Sequence, residues 1–188
     1  MLKKQVFLSL FALAFASLAC TLFIGGPDYP ATSIPVSTEA AQSVDEQLHQ
    51  AATAAVQSGG GLTVSITESQ ITSLLAARLA EDPQPFLTEP QVYLRDGQIQ
   101  IYGKAASGNF QANVRINLTA SVDADGRPQL IVSSVDFGPL PAPEGMNSAI
   151  SALVNEAFTG AFGPAATGFR LESIVIADGV MTLTGRIK

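Results

Sequence analysis

The stretch VYLRDGQIQIYGK (residues 92–104) has a near copy, IVIADGVMTLTGR (residues 174–186), 82 positions further along the chain. Apolar residues, an Asp-Gly pair and a closing Gly-Lys or Gly-Arg fall in the same order in both. A two-residue Asp-Gly loop supplies the positive φ of a type I′ turn, whose twist suits a β-hairpin. Each copy therefore predicts two antiparallel arms; in the first, Val92 and Leu94, and Ile99 and Ile101, alternate with polar or amphipathic neighbours. Neither copy contains a constellation of catalytic groups, so the repetition is first a structural statement.

Between the copies, NFQANVRINLTASV (109–122) alternates strictly. Ala112, Val114, Ile116, Leu118, Ala120 and Val122 point one way, and Gln111, Asn113, Arg115, Asn117, Thr119 and Ser121 the other, so one face is apolar and one wet. The turn Asp123-Ala124-Asp125-Gly126 leads to a further strand over 129–137. That turn is not a calcium loop. With Gly126 as sixth residue the twelfth is Val132, where a bidentate Glu is required. In the closing hairpin, arms over 169–177 and 180–187 flank Asp178-Gly179. Leu171, Val175 and Ala177 alternate there with Ile174 and Ile176, which predicts a strand that is either central and covered on both faces or turned to a second apolar space.

Upstream, 62–66 reads as a strand running into TESQITSLLAARLAED. Thr67 and Gln70 form a capping box, and Ile71, Leu74, Leu75 and Leu79 share a helical face. Pro83 and Pro85 end that helix. A thinner, Ala-rich stripe (Ala41, Val44, Leu48, Ala51, Ala55) predicts a weakly docked helix over 38–57, stopped by Ser58-Gly59-Gly60-Gly61. No Lys-Ser/Thr follows those glycines, so they are a hinge and not a phosphate loop. After Pro139, Pro141 and Pro143, residues Met146, Ala149, Ile150, Leu153, Val154, Ala157 and Phe158 recur at helical spacing until Gly163-Pro164. The fold class expected is α+β: a curved, mostly antiparallel sheet of hairpins packed against two amphipathic helices, in one domain over 62–188.

The start of the chain has a different grammar. Lys3 and Lys4 precede an apolar run over 6–19 that is short for a membrane span and fits a secretory signal. The run ends at Cys20, the only cysteine among 188 residues. Ala16-Ser17-Leu18-Ala19 before it resembles the lipobox of bacterial lipoproteins, with Ser17 where that motif usually has Leu. The resemblance implies a signal peptide over 1–19 and acyl chains on Cys20, each buried methylene contributing roughly 0.8 kcal/mol of membrane affinity. Residues 20–37, with Gly25, Gly26, Pro27, Pro30 and Pro35, then read as a flexible tether, and 38–61 as the Ala-rich helix and hinge. The implied localisation is the cell membrane or outer membrane, with the domain on the extracytoplasmic side.

Loss of Lys3 and Lys4 leaves eight Lys and Arg against 16 Asp and Glu, a net charge of −8. That balance argues against nucleic acid as a partner and against docking on anionic lipid through a basic patch. His49, the only histidine, is expected in solvent on the first helix. With one histidine and one acylated cysteine, multi-His and Cys-rich metal sites and Cys/His catalysis have no residues to use. No metal, cofactor or catalytic residue is expected, and the protein is read as non-enzymatic.

The segments TVSITESQITSLLAARL (63–79) and SVDFGPLPAPEGMNSAISALVNEAF (134–158) resemble the corresponding stretches of small anchored YpmS-like bacterial proteins, through Gly138, Leu140, Pro141, Pro143 and the helix from Met146. These and the LmeA-like envelope proteins are similar to the tubular lipid-binding superfamily, which implies an apolar groove between a long helix and a curved sheet. The candidate lining is Met146, Ile150, Leu153, Val154, Phe158, Leu171, Ile174, Ile176, Met181 and Leu183. The function expected is binding of lipid or another apolar ligand. The alternative is a non-catalytic structural or adaptor lipoprotein, contacting an envelope protein through the face of Gln111, Asn113, Arg115, Asn117 and Thr119.

Overall fold

Both Asp-Gly turns form in the computed structural model, which describes residues 22–83, 85, 87–107, 109–139, 150–152 and 169–187. Asp96 and Gly97 have φ of 53° and 72°, Asp178 and Gly179 of 50° and 79°. All four lie in the left-handed region that a type I′ turn requires. The described elements are β1 (Leu22–Phe23), α1 (Thr38–Ser58), β2 (Gly61–Thr67), α2 (Glu68–Glu81), β3 (Thr88–Arg95), β4 (Gln98–Ser107), β5 (Phe110–Val122), β6 (Pro128–Asp136), β7 (Phe169–Ala177) and β8 (Val180–Ile187). The fold is α+β.

The strands form two sheets. In the larger, β3, β4, β5 and β6 follow one another antiparallel, and β1 adds a short parallel pairing to β5. In the smaller, β8 lies between β2 and β7, antiparallel to both. The repeated phrase therefore contributes one hairpin to each sheet. The two turns meet: Gly179 N–H donates to the Leu94 carbonyl at 3.3 Å, and Glu68 N–H to the Gly179 carbonyl at 3.2 Å. The closing glycines of the phrase are needed for close approach. A Cβ at Gly103 would lie 2.5 Å from the Leu87 side chain, and one at Gly185 would lie 2.6 Å from the Arg170 carbonyl oxygen.

The core joins the sheets. Val92, Leu94, Ile99, Ile101, Val114, Ile116 and Leu118 come from the larger one and Leu62, Val64, Ile66, Met181 and Leu183 from the smaller. Among the described strands β7 pairs only with β8, so it is not the central strand of its sheet, the first of the two alternatives its sequence offers. Ile176 is buried, whereas Val175 is 55% exposed. The first helix docks more firmly than its thin stripe suggests. Val44, Leu48 and Ala55 are buried against α2 and β2, because small residues let α1 approach closely. Gly59, at φ 87°, caps its end. His49 is exposed.

Helix α2 opens with the expected capping box. Its most buried residues include Gln70, Thr72 and Ser73, while Ile71, Leu74 and Leu75 are only half-buried. Gln70 Nε2 donates to Ser43 Oγ at 2.8 Å and Ser73 Oγ accepts from Ser37 N–H at 3.1 Å, whereas Thr72 serves the edge of β3 that faces away from β4, whose backbone groups need partners. Thr72 Oγ1 accepts from Val92 N–H at 3.0 Å, and Glu68 Oε1 accepts from Leu94 N–H at 2.8 Å. These residues, one turn apart, close the sheet edge with side chains.

Residues 22–37, expected as a flexible tether, lie docked on the domain. Ile24 N–H donates to Gln111 O and Asn113 N–H to Gly25 O, both at 2.9 Å. The chain then crosses the polar outer face of the larger sheet. Asn113 Nδ2 donates to Pro27 O at 3.1 Å, and the hydroxyls of Tyr29 and Tyr93 donate to the carbonyls of Glu89 and Thr32. Gln91 pairs with both backbone groups of Ile34, accepting from N–H at 2.5 Å and donating to the carbonyl at 3.2 Å. All three tyrosines of the chain gather here, with Tyr102 edge-on to Tyr29 and Tyr93 at 6.4 and 5.7 Å between ring centres. Burial, then the Glu89 carboxylate, push the Tyr29 hydroxyl from 10.0 up to about 12. Burial also raises Tyr93, helped by Glu68 and opposed by Arg95. The Gly and Pro residues thus shape a strap, because the sheet face beneath it offers amides and aromatic rings.

A candidate apolar cleft along β6

Strand β6 turns its apolar residues inward through a bulge. Ala120 pairs with Leu130, Leu118 with Val132 and Ile116 with Val135, the register shifting by one residue between Asn117 and Leu118. The extra residue brings Val132 and Val135, three apart in sequence, to the same face. Ser133 and Ser134 turn to the outer face, where they bond Thr119 Oγ1 at 2.7 Å and Asn117 Nδ2 at 2.9 Å. Among the described residues β6 pairs only with β5, so no described strand lies along its other edge.

An open cleft of about 370 Å³ runs along that edge. Leu130, Ile131, Val132 and Val135 form its apolar wall, Ser133 and Ser134 its polar rim, and Ser151 of the helical residues 150–152 stands opposite. Val132 and Val135 are only half-buried, and Ile131 is 54% exposed. The start of β7 lies beside the β5–β6 turn, Leu171 N–H donating to Gly126 O at 3.0 Å.

Of the ten residues read from the sequence as a lining, Ile150, Ile176, Met181 and Leu183 are buried in the core and Leu171 and Ile174 are half-buried against it. Met181 faces Ile66 and Leu183 faces Val64 across the β2–β8 pairing. Met146, Leu153, Val154 and Phe158 lie outside the described residues, as does Cys20. Sequence reasoning missed the β6 wall. The run Leu130-Ile131-Val132 is its signal, being apolar on both faces of the strand.

A second, wider cleft of about 690 Å³ is polar, lined by Thr67, Glu68, Ser69, Arg95, Asp96 and Asp178 among others. Its central carboxylate, Glu68, is occupied by the Arg95 guanidinium and Leu94 N–H. The two aspartates are turn residues. Among the described residues no three His, Cys, Asp or Glu side chains gather as a metal site, and no helix is long and apolar enough to cross a membrane.

Comparison with protein-family models, curated proteins and solved structures finds no match for this chain.

Proposed function

We propose that this protein is a membrane-anchored extracytoplasmic lipoprotein whose domain binds lipid or another apolar ligand between the helix through Ile150 and the larger sheet. The observation that supports the reading is the β6 cleft, where apolar side chains stand half-buried beside a strand edge that no described strand pairs with. Leu130, Ile131, Val132 and Val135 supply the apolar area that acyl chains need, and Ser133, Ser134 and Ser151 stand beside them. The signal-like start and Cys20 support the anchor. No reacting group takes part, so the activity is binding without catalysis.

The adaptor reading loses ground on its own surface. Gln111 and Asn113 are engaged by the strap, and Asn117 and Thr119 by the β6 serines. A titration with a fluorescent fatty acid tests the binding reading. Saturable uptake that falls at least tenfold in Val132→Asp, a change that places a charge on the apolar wall, is expected. Unchanged uptake in that variant contradicts the site.

A further inference from the structure

We infer that the tip formed by β1 and the β4–β5 turn is a membrane-seating surface, which holds the domain directly on the lipid and not at a tether's length from it. Three of the large exposed apolar side chains lie at this tip, Leu22 and Phe110 side by side on one face and Phe23 on the other. Leu22 is 60% exposed, Phe23 53% and Phe110 47%, with Leu22 opposite Phe110 and Phe23 opposite Gln111 in the β1–β5 pairing. The pairing is fixed by Leu22 N–H to Asn109 O at 2.7 Å and Ile24 N–H to Gln111 O at 2.9 Å. Val36, Val56, Ile131 and Val175 are also exposed but belong to other elements.

The segments that form the tip carry no charge of their own although the protein is acidic. No Asp, Glu, Lys or Arg occurs over residues 105–114 or over 5–27. The nearest cation in β4, Lys104, is neutralised by Glu89 at 2.7 Å. Seating the tip in the headgroup region therefore desolvates no ionised side chain, the largest cost such a contact would otherwise carry. Phenylalanine and leucine are the side chains that gain from the headgroup–acyl boundary.

The partner follows from the position of Cys20 in the sequence. Leu22 is two residues from Cys20, and a residue spans at most about 3.6 Å, so the anchor lies within roughly 7 Å of the patch. Acyl chains on Cys20 must leave the protein beside Leu22, Phe23 and Phe110. Because the strap is docked from residue 22 onward, no free length remains to lift the domain. This inference rests on the lipid-anchor reading above.

The chain contains no tryptophan, so a single introduced indole is an unambiguous reporter. Full-length protein carrying Phe110→Trp, Phe23→Trp or Val175→Trp would be purified from membranes and placed in phosphatidylcholine vesicles with brominated acyl chains. The mass of its N-terminal peptide reads acylation separately. Val175 belongs to β7, which meets the larger sheet near the β3–β4 turn, roughly 25 Å along β4 from the tip. Emission from F110W and F23W is expected to be quenched roughly twofold, as for side chains seated ~5–10 Å into the boundary, and V175W to be unaffected. With Cys20 acylated, equal quenching at all three positions, or none at the tip, overturns the seating and leaves the anchor standing. An unmodified Cys20 overturns the anchor and the seating with it.

Discussion

Thr72 occupies a place in α2 where an apolar residue would be expected if the helix simply covered a sheet. Its side chain is fully buried, and its hydroxyl oxygen takes the Val92 N–H that β3 turns away from β4. Thr72→Val keeps the shape and leaves that donor unpaired in the interior. A loss of about 1–3 kcal/mol is expected, read by denaturant unfolding. A Thr72→Ser variant, which keeps the hydroxyl, should lose less; equal losses in the two would mean that packing and not the hydrogen bond is at stake. This contact was not legible in the sequence, because its partners are 20 residues apart and nothing local marks which backbone group lacks a mate. The Asp96-Gly97 and Asp178-Gly179 turns were legible because the φ requirement is local. The capping box of Thr67 and Gln70 was legible for the same reason.

At the scale of elements the strap is the largest departure from the sequence reading. Gly and Pro at 25–35 suggested freedom, and composition alone does not reveal that Gln91, Tyr93 and Tyr102 on the outer face would hold the segment. Its docking carries a pH dependence. The Tyr29 hydroxyl is raised from 10.0 to about 12, so the folded state favours its neutral form. The corresponding stability is fully present below pH 10 and is lost as pH rises through the interval from 10 to about 12. Wild-type protein should therefore lose stability across that interval more steeply than Tyr29→Phe, measured by unfolding at each pH. Identical slopes would place Tyr29 in solvent and release the strap from the sheet. Helix α1 makes a similar point. Its alternation of Ala with Val44 and Leu48 was legible as helix, but the depth of its burial depends on how closely α2 approaches.

On the scale of the molecule, the order of strands and helices was legible from the hairpin and helix periodicities. The division into two sheets was not. Strand β8 could pair with any free edge, and β2, more than 110 residues earlier, supplies the one it uses. Met181 and Leu183 belong to the buried core that the β2–β8 pairing helps to form, whereas Val132 and Val135 of β6 are only half-buried. The strap belongs to this folded unit, so a soluble form must begin at Leu22 and omit only what precedes it. The most direct measurement is native mass spectrometry of that form, followed by organic extraction. Binding in the β6 cleft predicts an adduct of lipid mass that is lost on denaturation and is depleted in Val132→Asp. A single apo mass, with no uptake when phospholipids or fatty acids are offered, would contradict it and leave a non-catalytic adaptor as the reading to pursue.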